Sequence, residues 1–197
     1  MLPHAFYINL NRRTDRRMEF ESECDHIGIS AERFSAIEWN PGDVGCLKSH
    51  IAVLKEAQKR HLSAVLIFED DFQFLVSKEL FYERMSSIQS IRYDVIMLSY
   101  NIQHCNPVTE YPHLGKILEA QTASGYLVHS CFFEKLIHIM ETSLPLLETT
   151  RQHWLYAADQ CWKPLQPITR WYYFLDRIGK QRESYSDLAG CIVNYNC

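Results

Sequence analysis

Residues 64–68 read Ala-Val-Leu-Ile-Phe and are apolar at every position. A strand with one wet face alternates apolar and polar side chains, because successive side chains point to opposite faces of the sheet. An unbroken apolar run of this length therefore predicts a strand buried on both sides, as in a sheet held between two helix layers. The flanking segments agree. Upstream, "VGCLKSHIAVLKEAQKRH" places Leu47, Ile51, Leu54 and Gln58 at helical spacing, with Lys48, Lys55 and Lys59 elsewhere. That pattern predicts a helix beginning after the "PGD" break (41–43), with Asp43 as its N-cap. Nearer the start, "HAFYINL" (4–10) predicts a strand, and Thr14 is expected to cap a helix reaching about Ile27, with Met18, Cys24 and Ile27 on one side. Downstream, Ser77 predicts the start of a helix carrying Leu80, Phe81, Met85 and Ile88, and "DVIMLSY" (94–100) predicts a further strand. Strand and helix thus alternate through the first half, the mark of a mainly parallel α/β sheet with right-handed crossovers.

The second half is less regular. "NIQHCNPVTEYPHLG" (101–115) has no period and predicts a long loop, a kind of segment that is often functional. "KILEAQTASGYLVHS" holds two strands, and "CFFEKLIHIMET" (131–142) an amphipathic helix with Phe133, Leu136, Ile137 and Met140. A further helix is expected around 149–162, carrying Trp154 and Asp159. The stretch "RWYYFLD" (170–176) predicts core packing, or an exposed aromatic able to stack on a sugar. With 197 residues and neither repeat nor linker, one domain is expected.

Composition removes several function classes. A net charge of -4 argues against a nucleic-acid partner. No stretch approaches the roughly 18 unbroken apolar residues of a membrane span. The opening "MLPHAFYINLNRR" has no basic region ahead of its apolar part, so it reads as a strand and not a signal peptide. The seven cysteines are scattered and odd in number, with no CxxC pair. This argues against a zinc site and for a reduced, cytosolic compartment, with the cytoplasmic face of a membrane as the alternative.

The apolar run of 64–68 ends in three carboxylates, Glu69, Asp70 and Asp71. Ligands of open α/β sheets gather beyond the carboxyl ends of the strands, where these residues sit. In extended chain, Glu69 and Asp71 are expected to point one way and Asp70 the other. Like charges packed together are costly, and a hard divalent ion such as Mn²⁺ or Mg²⁺ removes that cost. Helix caps or solvated loop charges are the plainer reading of such a triplet. "INLNRRTDRR" sets Asn9, Arg12, Arg13, Arg16 and Arg17 just after the first strand. Guanidinium forks pair bidentately with phosphate; the alternative is a solvated helix face with Asp15, Glu19 and Glu21 as partners. Neither GxGxxG nor GxxxxGK[ST] occurs, so dinucleotide oxidoreductases and P-loop enzymes fit poorly. Acidic triplet and basic cluster together suggest a metal–diphosphate site.

Six ordered blocks, "FYINLNRRTDRR", "GDVGCLKSHIAVLKEA", "VLIFEDDF", "ASGYLVHSCFFEKLI", "AADQCW" and "KQRESYSDL", resemble glycosyltransferase family 25, which includes lipopolysaccharide and collagen galactosyltransferases. The resemblance implies a GT-A-like, Rossmann-like nucleotide-sugar-binding fold. It also implies transfer of a hexose, galactose or glucose, from a UDP-sugar to a hydroxyl of a glycan, lipopolysaccharide-type or protein-linked acceptor, with inversion and dependence on Mn²⁺ or Mg²⁺. About 1–100 would be the donor half and about 101–197 the acceptor half. The resemblance gives Glu69, Asp70 and Asp71 the part of a DxD-type metal motif. It sets Asn9, Leu10, Arg12, Arg13 and Arg16, with Asp70, near the nucleotide, and Gly45, Ser49 and His50 in the donor pocket. Gln181 and Ser184 match a later donor block, and Asp159 matches an acidic position read as the catalytic base beside Asp71. The chain departs from the family pattern at Asp43, where Glu is usual, and at 101–115.

Taken without the family, several of these residues have a second reading. Asp159 is a base, or a helix-surface residue paired with Lys163. His50 is a ligand-binding residue or a hydrogen-bonded core histidine. Gly45 admits a sugar or permits close packing, and Gly125 marks a bulge or a close backbone approach. At the level of function, a metal-dependent phosphohydrolase and a catalytically silent nucleotide-sugar-binding partner domain are the competing hypotheses.

Overall fold

A computed structural model of the chain describes residues 2–186 and 191–193, with side chains described through residue 183. The chain forms, in order, β1 (His4–Asn9), α1 (Thr14–Ile27), β2 (Ala31–Ser35), α2 (Gly42–Lys59), β3 (Ala64–Glu69), β4 (Phe72–Phe74), α3 (Lys78–Ser87) and β5 (Val95–Met97). There follow β6 (Asn101–Pro107), β7 (Leu114–Gln121), β8 (Gly125–His129), α4 (Phe133–Thr150), α5 (His153–Tyr156), α6 (Ala158–Cys161) and β9 (Trp171–Phe174). The last strands are β10 (Gly179–Gln181), β11 (Ser184–Ser186) and β12 (Cys191–Val193).

Among the described residues, eight strands form one sheet in the order β2-β1-β3-β8-β5-β9-β7-β6. β1, β2 and β3 are mutually parallel, and β7 and β8 run against the other six. The sheet is thus parallel where the sequence alternates strand and helix, and mixed beyond. Both expected halves of the chain contribute to it.

The apolar run of β3 is explained by its two faces. Val65 and Ile67, with Phe6 and Ile8 of β1, pack into a core under α2 and α4. Leu66 and Phe68, with Ala5 and Tyr7, pack into the opposite core under α1 and α3. Alternate side chains feed alternate cores, so no position tolerates a polar residue.

Several local expectations are corrected. Thr14 is the first helical residue of α1 and not its cap; Arg13 holds the cap position, and its side chain makes no capping bond. Met18 is exposed, and Phe20 joins Cys24 and Ile27 on the buried side. Pro41 precedes α2 at the cap position, and Asp43 accepts from the adjacent Val44 N–H. Gln58 is exposed beside the buried Leu47, Ile51 and Leu54. Ser77 does cap α3, accepting from Leu80 N at 3.3 Å. The expected loop 101–115 is mostly a hairpin, β6 pairing antiparallel with β7 at the sheet edge. The helix expected at 149–162 is divided into α5 and α6 by an extended Ala157. "RWYYFLD" supplies β9, inserted between β5 and β7. Among the described residues no helix is long and apolar enough to cross a membrane.

Candidate functional site

The crevice follows from strand order. β1 lies between β2 and β3, α1 covers one face of the sheet, and α2, which carries the chain from β2 across to β3, covers the other. The first turns of the two helices therefore diverge at the carboxyl ends of the strands, where α/β sheets bind ligands. There the structure has a cavity of about 490 Å³. Its lining brings together Leu10, Arg12, Arg13 and Arg16 after β1, Gly45 and Ser49 of α2, Glu69, Asp70 and Asp71, and Gln181 of β10. Segments more than a hundred residues apart in the chain meet there.

The three carboxylates do not behave alike, nor do their side chains alternate as expected. β3 ends at Glu69 and the chain turns at once, so Asp70 and Asp71 face the same cation. Arg16 Nη1 lies 3.0 Å from Asp70 Oδ1 and 3.2 Å from Asp71 Oδ2. Asp70 Oδ2 also accepts from Asn9 Nδ2 at 2.7 Å. Asp71 Oδ2 accepts from Gln181 Nε2 at 3.0 Å, and the Asp71 carbonyl accepts from Arg182 N at 2.7 Å. Asp71 Oδ1, by contrast, is buried without a hydrogen-bond partner among the described residues. Leaving a buried acceptor unsatisfied costs roughly 1–3 kcal/mol, and more for a charged one. Burial, reinforced by the Glu69 charge and opposed by Arg16, pushes the Asp71 carboxyl up to about 7. Burial also raises Asp70, against the pull of Arg16 and Asn9.

This arrangement tests the fit of a divalent ion. Asp71 Oδ1 is a carboxylate oxygen with a vacant acceptor position beside a cavity, and Glu69 lines the same cavity. Both suit a hard cation. Asp70 is less suited, since both its oxygens are engaged by Arg16 and Asn9.

Other candidates act as supports. Asn9 donates to Asp70 and to the Arg13 carbonyl and accepts from Arg33, so it fixes the turn after β1. Arg12 pairs with Glu38, and Arg13 with Asp15 at 2.8 Å. Ser49 Oγ accepts from Ile37 N at 2.8 Å and donates to the Gly45 carbonyl at 2.7 Å, tying the 36–39 segment to α2. A Cβ on Gly45 would lie 2.7 Å from the Ile37 carbonyl oxygen, so that glycine permits a close backbone approach. His50 is 1% exposed and does not line the cavity; its Nδ1 lies 2.7 Å from Tyr126 Oη and its Nε2 3.2 Å from Glu69 Oε1. Gly125 meets Phe72, whose ring a Cβ would overlap at 2.3 Å, so packing accounts for it. The Ser184 side chain lies outside the described residues.

Asp159 is not paired with Lys163, whose ammonium meets Glu119 and Gln121 instead. Asp159 Oδ2 accepts from Thr122 N at 3.0 Å and Gln160 Nε2 at 3.1 Å. Thr122 has φ 93°, a conformation rare for a branched residue, and its N–H bond to Asp159 helps to hold it. The turn it forms leads to Ser124, whose carbonyl accepts from Glu69 N at 2.8 Å. Burial raises the Asp159 carboxyl, and the charge of Glu69 adds to the rise.

The sequence reading missed Trp39, half-exposed on the cavity wall with Lys48 Nζ 3.2 Å from its ring centroid, and Cys46, which donates to Glu69. For Cys46 a signal existed: it precedes His50 by four residues, one helical turn.

Residues 40–143, more than half of the chain, match the model of glycosyltransferase family 25, described as a lipopolysaccharide biosynthesis protein. The chain belongs to glycosyltransferase family 25. A glycosyltransferase 25 family member of Drosophila melanogaster is 31% identical over a match covering 37% of this chain and 16% of that protein. A mouse relative, named an inactive glycosyltransferase 25 family member 3, is 27% identical over 62% of this chain and 25% of its own length. This family 25 chain thus spans a quarter or less of these relatives. The crystal structure of a glycosyltransferase involved in glycosylation of the major capsid of PBCV-1 superposes with a TM-score of 0.56, at 11% identity and 93% coverage of both chains. That likeness shows the fold, GT-A-like and α/β.

Proposed function

We propose that this chain transfers a hexosyl group, galactose or glucose, from a UDP-sugar to a hydroxyl of a glycan or glycoconjugate, with inversion and with a requirement for Mn²⁺ or Mg²⁺. One observation carries the reading: a buried carboxylate, Asp71, keeps an oxygen without a partner among the described residues, beside a cavity that three arginines also line, in a chain of this family. Asp71 and Glu69 would hold the ion. A divalent ion there supplies a Lewis acid for the charge that grows on the leaving diphosphate. Arg12 and Arg13 lie on the same wall and exchange their carboxylate partners for phosphate oxygens. Arg16 is held between Asp70 and Asp71 and sets the position of both. Trp39 offers a flat apolar face to the nucleoside. The acceptor oxygen attacks the anomeric carbon opposite the departing UDP, which inverts that centre, and Asp159 takes its proton. Burial makes Asp159 more basic than a surface aspartate, as a base requires.

The test is a panel of UDP-, GDP- and CMP-sugars with Mn²⁺, scored by release of free nucleotide with and without glycan acceptors. Acceptor-stimulated release from one UDP-hexose supports the proposal. Steady release of phosphate without sugar transfer would show a phosphohydrolase. Nucleotide binding with no turnover would show a silent binding domain, an outcome the inactive mouse relative brings into view.

A further inference from the structure

Beside the acidic turn, three side chains distant in sequence meet with the composition of a different kind of metal site. Cys46 and His50 are one turn apart on α2 and so share a helix face. Glu69, at the end of β3, meets both: its Oε1 lies 3.4 Å from Cys46 Sγ and 3.2 Å from His50 Nε2. One donor atom from each of the three lies within 4.8 Å of the others. Around tetrahedral zinc, with bonds of about 2.0–2.3 Å, neighbouring donor atoms stand roughly 3.3–3.7 Å apart. Two of the three separations are already close to those values, and the third is no more than 4.8 Å.

Two further features separate this cluster from an ordinary hydrogen-bonded group. The other ring nitrogen of His50 is occupied by Tyr126 Oη at 2.7 Å, the outer-shell contact that orients a metal-binding imidazole. Cys46 and Glu69 line the cavity, which leaves a fourth position open toward it. Thiolate, imidazole and carboxylate together favour Zn²⁺ and Co²⁺ over Mn²⁺ or Mg²⁺. The CxxC spacing whose absence argued against zinc is not needed when a helix turn and a strand end supply the ligands.

We propose that Cys46, His50 and Glu69 form a binding site for a zinc-class cation, adjacent to the Asp71 position, sharing Glu69 with it and open to the cavity. On binding, the sulfur–metal bond forms as the Cys46 S–H proton leaves to solvent. The inference rests on donor geometry and stands whether or not the chain turns over a nucleotide-sugar.

The experiment is titration of the chelator-stripped full chain with Co²⁺ alone, followed by its thiolate-to-cobalt charge-transfer absorption. One equivalent is expected to give the band, and Zn²⁺ to displace it. Cys46→Ser should abolish the band, Cys105→Ser on the exposed edge strand β6 should keep it, and His50→Gln or Glu69→Gln should weaken binding tenfold or more. Should Cys46→Ser fail to fold, alkylation of the unaltered chain gives a second readout, resolved by peptide mass spectrometry. Zn²⁺ should slow modification of Cys46 at least tenfold and leave Cys105 unchanged. Absence of the band in the folded chain, its survival in Cys46→Ser, or an unchanged Cys46 alkylation rate would each overturn the proposal.

Discussion

Asp71→Asn should make the metal-free protein more stable while removing its response to metal. Asp71 is 4% exposed, and its carboxyl is raised from 3.8 to about 7. Its pKa is thus higher in the folded than in the unfolded chain, and the folded chain holds the additional proton. The stability this group contributes is fully present below about pH 4 and is lost as pH rises through about 7. A rise of about 3 units corresponds to about 4 kcal/mol at most. Asparagine removes the buried charge but leaves a buried amide to satisfy, at roughly 1–3 kcal/mol. Arg16 keeps Asp70 at 3.0 Å as a partner. The net gain at pH 8 is therefore about 1–3 kcal/mol, or roughly 2–12 °C in melting temperature for a chain of this size. At pH 5, where the native carboxyl is largely protonated, the gain should vanish or reverse. Thermal melts of both proteins at pH 5 and pH 8, in chelator and then in Mn²⁺, measure this directly. A variant less stable than the parent at pH 8 without metal, or a difference independent of pH, would refute the reasoning.

Other substitutions probe separate parts of the site. Arg16→Met strands two buried carboxylates and should cost about 3–5 kcal/mol at pH 8 by urea denaturation, with a smaller loss at pH 5. Gly45→Ala forces a Cβ against the Ile37 carbonyl and should cost about 1–3 kcal/mol in the same assay. Asp159→Asn keeps an oxygen for the Thr122 N–H, so stability and UDP binding should hold while kcat falls roughly 10²–10⁴-fold; an unchanged kcat would remove Asp159 as base.

In the parallel half, β1, β3 and α2 were legible, because burial on both faces leaves an apolar run in β3 and α2 has a clear stripe; β2 was not, since none of its residues is buried and it carries no apolar run. The β6–β7 hairpin was not legible. Five of the seven β6 residues are exposed, and the strand is held by backbone pairing, which leaves no period in side-chain polarity. β9 was visible as apolar sequence, but its place between β5 and β7 depends on long-range pairing. At the site, the meeting of the carboxylates with Arg12, Arg13 and Arg16 was readable from the strand ends, whereas Asn9, His50 and Asp159 lie outside the cavity lining. The division of labour among Glu69, Asp70 and Asp71 was not, because a turn one residue after the strand overrides the alternation of extended chain. Cys46 was passed over because its partners come from another helix turn and another strand.

Co-binding of UDP and Mn²⁺ tests the central claim most directly. With ligand near 100 times Kd, binding adds about 2.7 kcal/mol of stability, which is roughly 5–11 °C in melting temperature for a chain of this size. The account predicts such a shift for UDP with Mn²⁺, a much smaller one for either alone, and none for the pair in Asp71→Asn. If UDP, GDP and CMP all leave the melting temperature unchanged in the presence of Mn²⁺, the cavity does not hold a nucleotide diphosphate through a metal and the account is contradicted.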